Sequence, residues 1–147
     1  MKKRLLTLLV PVVVATLAIG CGGGDTMDPE PPAAVGPPDL SGTYSLVSVT
    51  QGGLTVGPPG ATGTFTLSQT SSSGDTASGT LTYSISIPAI GFMQDDEGTF
   101  TVKSDGSWAQ TGQVAQALGT YTLAGNVLTV IVTEPLAAAS TTVWQRQ

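Results

Sequence analysis

The sequence predicts an all-β domain: an antiparallel up-and-down meander of eight or nine short strands that closes into a small barrel. Three observations predict it. A five-residue phrase recurs, Gly42-Thr43-Tyr44-Ser45-Leu46 returning as GTFTL at Gly63, GTLTY at Gly79, GTFTV at Gly98 and GTYTL at Gly119. Large and hydroxylated residues alternate within it, and successive side chains of a strand point to opposite faces. The longest example, Thr80 to Ile87, sends Leu81, Tyr83, Ile85 and Ile87 inward and Thr80, Thr82, Ser84 and Ser86 outward. Finally, the phrases restart 16 to 21 residues apart, enough for one or two strands and a turn but too little for a crossover helix, so neighbouring strands must be antiparallel.

Each phrase is read as a strand start, with its glycine at a turn exit. The expected strands are 43–50, 53–57, 62–69, 78–87, 97–103, 107–112, 119–124, 127–133 and 140–146. Pro58-Pro59 ends the second early. Hairpin chemistry falls between strands at Gly52-Gly53, Asp105-Gly106 and Gly125-Asn126, pairs that tolerate left-handed backbone. Val114 to Leu118 could form one helical turn, and Leu136 to Ala139 is read as a loop. The uneven spacing argues against a solenoid or propeller. A two-sheet sandwich is the alternative architecture, but closure removes the exposed edges that an open sheet offers to aggregation.

The chain has 147 residues, the length of one domain, with no histidine and one cysteine. Lys2, Lys3 and Arg4 are three of its five cations, leaving Lys103 and Arg146 against ten carboxylates. The remainder therefore carries a net charge of about −8, which repels phosphate backbones and argues against nucleic-acid binding.

Those three cations precede an apolar run, Leu5 to Ile19, too short for a comfortable permanent span, so residues 1–20 read as a signal peptide. The run ends Leu17-Ala18-Ile19-Gly20-Cys21, which resembles a bacterial lipobox. That resemblance implies cleavage before Cys21, a diacylglyceryl thioether on its sulfur and acylation of the new amino group, the acyl groups being palmitate-like membrane anchors. An uncleaved anchor, or a free cysteine beside an ordinary cleavage site, are the alternatives. Gly22 stands where an Asp would favour the inner membrane, so the expected address is the bacterial cell envelope, at the outer membrane in an organism that has one. Residues 21–39, with the run GGGDTMDPEPPAAVGPPD after the cysteine, mix flexible Gly with stiffening Pro and read as a tether; the folded unit is expected over 40–147.

The opening GTYSLVSV, the barrel-length meander and the ending TTVWQRQ together resemble the lipocalin-like domains of small bacterial lipoproteins. Lipocalins carry Gly-x-Trp on the first strand and an Arg near the last that crosses the Trp ring. The matching positions here are Gly42, Tyr44 and Arg146, with Tyr in place of Trp. The resemblance implies that Tyr44 and Arg146 latch the two ends of the barrel; otherwise Arg146 is a solvated terminal charge.

Without histidine there is no Ser-His-Asp triad and no imidazole metal ligand, and no nucleophile elbow or phosphate loop is found. Asp95, Asp96 and Glu97 are adjacent, a poor way to face two acids across a substrate or to surround Ca²⁺, and read as a solvated turn. The chain is therefore expected to be no enzyme and to need neither metal nor cofactor. Phe92 and Met93 beside the acids form an apolar pair that packs, plugs the barrel mouth or touches a partner.

Two functions remain. In the first, Phe65, Leu67, Leu81, Tyr83, Phe100, Val102 and Tyr121 line an interior site for a small lipophilic ligand. About 108 residues is short for a capacious pocket, so the interior is expected to be largely filled. In the second, the domain is a non-catalytic module that meets an envelope protein through loops around Gln51–Ala61 and Ala89–Glu97, the membrane being reached through lipidated Cys21 in either case.

Overall fold

The computed structural model describes residues 36–147. The leader, Cys21 and most of the tether lie outside the described residues. Nine strands follow in order: β1 (Gly42–Gln51), β2 (Leu54–Val56), β3 (Thr62–Ser73), β4 (Thr76–Ile87), β5 (Phe92–Lys103), β6 (Ser107–Gly112), β7 (Gln116–Ala124), β8 (Val127–Glu134) and β9 (Ser140–Arg146). Each pairs antiparallel with its neighbour, and β1 also pairs with β9, so β1 and β3 to β9 close into an eight-stranded barrel. The short β2 pairs with Val49–Gln51 on the edge of β1 that β3 occupies lower down. One continuous ring of ladders rules out the sandwich.

The repeated phrase takes on a different meaning in the barrel. Its glycines lie within strands or at a strand's first residue, not at turn exits, and share the inward face with the large residues two positions on. Each sits opposite a large inward side chain of the neighbouring strand: Gly42 faces Leu67, Gly63 faces Ile85, Gly79 faces Phe100, Gly98 faces Leu81 and Gly119 faces Trp108. The missing side chain leaves room for the bulky one across the ladder, the small-against-large alternation that fills a narrow barrel. Backbones also close in. A Cβ on Gly119 would stand 1.8 Å from the Ile131 carbonyl oxygen, and one on Gly79 would stand 2.0 Å from that of Ser68. Strand bends are expected at such glycines.

Bulges adjust the alternation. Val47 is the extra residue on β1 opposite β9, so Tyr44 and Leu46 face in below it and Val49 and Gln51 above it. A second irregularity falls between Gln69 and Ser71, beside Gly79.

The elements run longer than the sequence pattern suggested. The serine-rich end of β3 continues as a hairpin with β4, turning at Gly74-Asp75, where Ser71 Oγ and Ser78 Oγ are 2.7 Å apart. β5 begins at Phe92, so Asp95, Asp96 and Glu97 are strand residues, not a turn. β7 begins at Gln116, which leaves no helical turn over Val114–Leu118; a 3₁₀ turn (Leu136–Ala138) precedes β9 and another (Pro88–Ile90) precedes β5.

One end of the barrel is packed shut. Trp108 stacks on Phe100 with centroids 5.5 Å apart and planes 5° from parallel, and meets Phe65 edge-on at 6.1 Å; Tyr121 is tilted against it with centroids 6.4 Å apart. Leu67, Leu81, Val102 and Leu128 fill the gaps, all buried. Leu40 caps this end, its carbonyl accepting from the Tyr44 hydroxyl at 2.8 Å. Gly119→Ala is expected to lower unfolding free energy by about 2–3 kcal/mol, through overpacking between backbones. Thr120→Ala, next door but outward-facing, should change it by about 0.5 kcal/mol or less; urea melts of the two variants make the comparison.

Candidate functional site

Above the aromatic cluster the inward positions carry smaller side chains, Gly63, Gly112, Ala117, Ser140 and Thr142 among them, and the interior opens into a cavity of about 350 Å³. Phe65 and Trp144, their centroids 5.1 Å apart, form its floor. Val49, Ile85, Ile87, Val130 and Val132 supply apolar wall, and the 3₁₀ turns at Ile90 and Ala137–Ala138 stand at the mouth.

One side of the wall is polar. Tyr83, Gln94 and Gln110 come from the adjacent strands β4, β5 and β6. Gln94 Nε2 donates to Tyr83 Oη at 2.6 Å, and Gln110 Oε1 accepts from Trp108 Nε1 at 3.1 Å. Burial, and then the nearby Asp96 carboxylate, push the Tyr83 phenol up to about 12. It stays neutral and a hydrogen-bond donor throughout the physiological range.

Asp96 is the buried polar residue of the barrel, 7% exposed. Its Oδ1 accepts from the backbone N–H groups of Glu97 (2.9 Å) and Val114 (3.0 Å), and its Oδ2 from that of Ala115 (3.0 Å). A Cβ on Gly112 would stand 2.0 Å from Oδ2, so the glycine makes room for the carboxylate. Asp96 thereby pins the β6–β7 connection, whose Ala115 lines the cavity. The adjacent acids do not form the solvated turn that their polarity suggests, because strand alternation separates them: Asp96 shares the inward parity of Gly98 and Phe100, while Asp95 and Glu97 face out. No group of three acidic, cysteine or histidine residues able to hold a metal ion occurs among the described residues.

Of the seven residues proposed from sequence as interior lining, Phe65 and Tyr83 border the cavity. Leu67, Leu81, Phe100, Val102 and Tyr121 are inside the barrel but in its packed half. Gln51, Gln94, Gln110 and Gln116 also line the cavity; only Gln110 shows this in the sequence, through the inward parity it shares with Trp108, because Gln51 lies beyond the bulge at Val47, and Gln94 and Gln116 lie ahead of the strand starts that the pattern indicates.

Tyr44 and Arg146 are directly opposed across the β1–β9 seam. Arg146 Nε and Nη2 donate to Tyr44 Oη at 3.1 and 2.7 Å, and Nη2 also donates to the Asp39 carbonyl at 3.0 Å. The guanidinium carbon is 5.2 Å from the ring centroid. The contact is thus made mainly through the hydroxyl, an acceptor that tryptophan lacks.

The fold and site define a closed up-and-down β-barrel with a packed end and an open, cavity-bearing end. Comparison of the chain with models of known families, with curated proteins and with solved structures finds no match.

Asp96→Ala should cost about 2–3 kcal/mol, because three backbone donors lose a charged acceptor, and Asp96→Asn less; denaturant unfolding measures both. For Tyr83, the raised phenol makes the sign definite: its contribution to stability is complete below pH 10 and is lost as pH rises from 10 toward 12. An absorbance titration of the native protein should contain a tyrosine step near pH 12 that Tyr83→Phe removes.

Proposed function

We propose that this protein is a lipid-anchored lipoprotein of the bacterial envelope whose lipocalin-like barrel binds a small lipophilic ligand and catalyses no reaction on it. The observation that carries the reading is the cavity of about 350 Å³, floored by aromatic rings and open at one end. An eight-stranded barrel has an interior that side chains can fill or that can hold one small ligand, and here each half takes one of those courses. The lipobox-like run ending at Cys21 supports the anchor, and residues 39–41 pass across the packed end, leaving the mouth clear.

A second reading, an interaction module without a ligand, is favoured by the rim. Leu54, Ile90, Met93, Val114 and Leu136 are exposed on the strand ends and connections around the mouth, Met93 at 71% and Leu136 at 86%. Under the first reading this crown is the apolar approach to the cavity; under the second it is a contact surface for an envelope protein.

Native mass spectrometry of the protein purified from its own host separates them. The expected result is an acylated N-terminal cysteine and a co-purifying small mass that Val132→Trp, which narrows the cavity, removes. Repeated recovery of ligand-free protein would sink the binder and leave the interaction module.

A further inference from the structure

We propose that the cavity selects uncharged amphiphiles, long-chain alcohols and their neutral derivatives, over fatty carboxylates and amines, with the polar group of the ligand seated on the Tyr83–Gln94–Gln110 wall. The inference rests on the ligand-binding reading above and names its chemistry.

Charge comes first. No side chain lining the cavity is ionised at neutral pH. The only cations among the described residues are Lys103 and Arg146, and both sit at the packed end: Lys103 ends β5, its carbonyl accepting from the Tyr121 hydroxyl, and Arg146 is spent on the seam. The charge nearest the polar wall is the Asp96 carboxylate, close enough to raise the Tyr83 phenol. A fatty carboxylate bound here would give up its water, find no cation and face a like charge. Burying an unpaired carboxylate is far costlier than burying a hydroxyl that finds a partner. An ammonium is attracted by the same charge but gains no ion pair with it, because three backbone N–H groups already hold the Asp96 oxygens, and the buried ammonium still gives up its water.

Hydrogen bonding then says what is welcome. Tyr83 Oη accepts from Gln94 and keeps its own proton to donate. Gln110 uses its oxygen on Trp108, which leaves its amide N–H groups free, while Gln94 uses an N–H on Tyr83 and keeps its oxygen. Along this wall there are thus neutral donors, the Tyr83 hydroxyl and the remaining glutamine N–H groups, and a neutral acceptor, the Gln94 oxygen, and a hydroxyl can engage both kinds because it both gives and takes a hydrogen bond. Opposite the patch lie Val130, Val132 and Trp144, which suit an alkyl chain running toward the apolar rim.

The test uses three probes that share a chain and differ in head group: decanol, decanoate and decylamine, titrated at neutral pH into the full chain carrying Cys21→Ser, so that no acyl group of its own competes. Trp144 borders the cavity and Trp108 lies behind Phe65, so tryptophan fluorescence reports occupancy. Decanol should bind about tenfold tighter than either charged probe, or more. Decanoate or decylamine binding as tightly as decanol would overturn the selectivity while leaving the ligand-binding reading intact. Failure of all three probes to bind would instead remove the ligand-binding reading and this inference with it. A second variant reverses the sign: Ser140→Lys, at an inward position of β9 that lines the cavity, puts a cation at the cavity wall and should bring decanoate at least level with decanol. An unchanged order in that variant, confirmed as folded by its circular dichroism, would show that charge is not what selects.

Discussion

Eight strands enclose too little space for a large side chain at every inward position, and everything else about this barrel follows from how that shortage is resolved. Glycines on the inward face give up their volume to the bulky residues across the ladder, Gly79 to Phe100, Gly98 to Leu81, Gly119 to Trp108. The arrangement repeats because each strand meets the same constraint, which is why the same few residues recur in the sequence. It also accounts for the outward threonines, which sit between inward residues and supply the β-branched shape that strands favour. With the glycines in place, Phe100, Trp108, Phe65 and Tyr121 can stack as one cluster, and aromatic pairs of this kind add about 0.5–1.5 kcal/mol each beyond the area they bury.

The cavity begins where that resolution stops. Toward the mouth the small inward residues are no longer answered by aromatic partners: Gly63 is met by Ile85, and Gly112 lies opposite another glycine, Gly98. Space is left over, and three devices keep it from collapsing. The aromatic cluster is a rigid floor. Asp96 holds the β6–β7 connection by its backbone, and the seam between β1 and β9 is fixed at the opposite end by the Arg146 guanidinium on the Tyr44 hydroxyl. Every fully buried side-chain polar atom among the described residues has a partner, so the spare donors and acceptors of the polar wall are atoms that remain accessible.

Much of this was legible in the residues. The alternation of Leu81, Tyr83, Ile85 and Ile87, the antiparallel order forced by short spacing, and the turns at Gly52-Gly53, Gly106 and Gly125 all appear in the structure, with those glycines at positive φ. What misled was polarity taken as a sign of loop. Asp95-Asp96-Glu97 and the serines after Gln69 look like turns, yet both lie in strands, because a barrel strand with one solvated face tolerates polar runs, and because Asp96 finds three backbone donors inside. The phrase glycines suggest turns for the related reason that glycine is usually a turn residue; only the register reveals that they face aromatic and aliphatic partners. Alternation tells which face a residue occupies but not its height along the barrel. Height is set by register and by the bulge at Val47, so the same parity that correctly turned Leu67, Phe100 and Val102 inward could not say that they belong to the packed half.

The division of the interior also decides where specificity can reside. The aromatic floor offers contact area and little discrimination, since apolar groups of similar size bury on it equally well. A wall of neutral hydrogen-bonding groups discriminates more sharply, because a ligand that fails to satisfy it leaves a desolvated donor or acceptor behind. The Tyr83–Gln94 bond at 2.6 Å orients two of those groups relative to each other before anything binds, and the Trp108–Gln110 bond ties the third to the floor beneath. The packed half therefore acts on the open half through specific atoms: the indole that faces Gly119 is the one whose N–H holds Gln110 in place. A change in the glycine-for-aromatic exchange at the closed end would be felt first as a loosened donor at the polar wall.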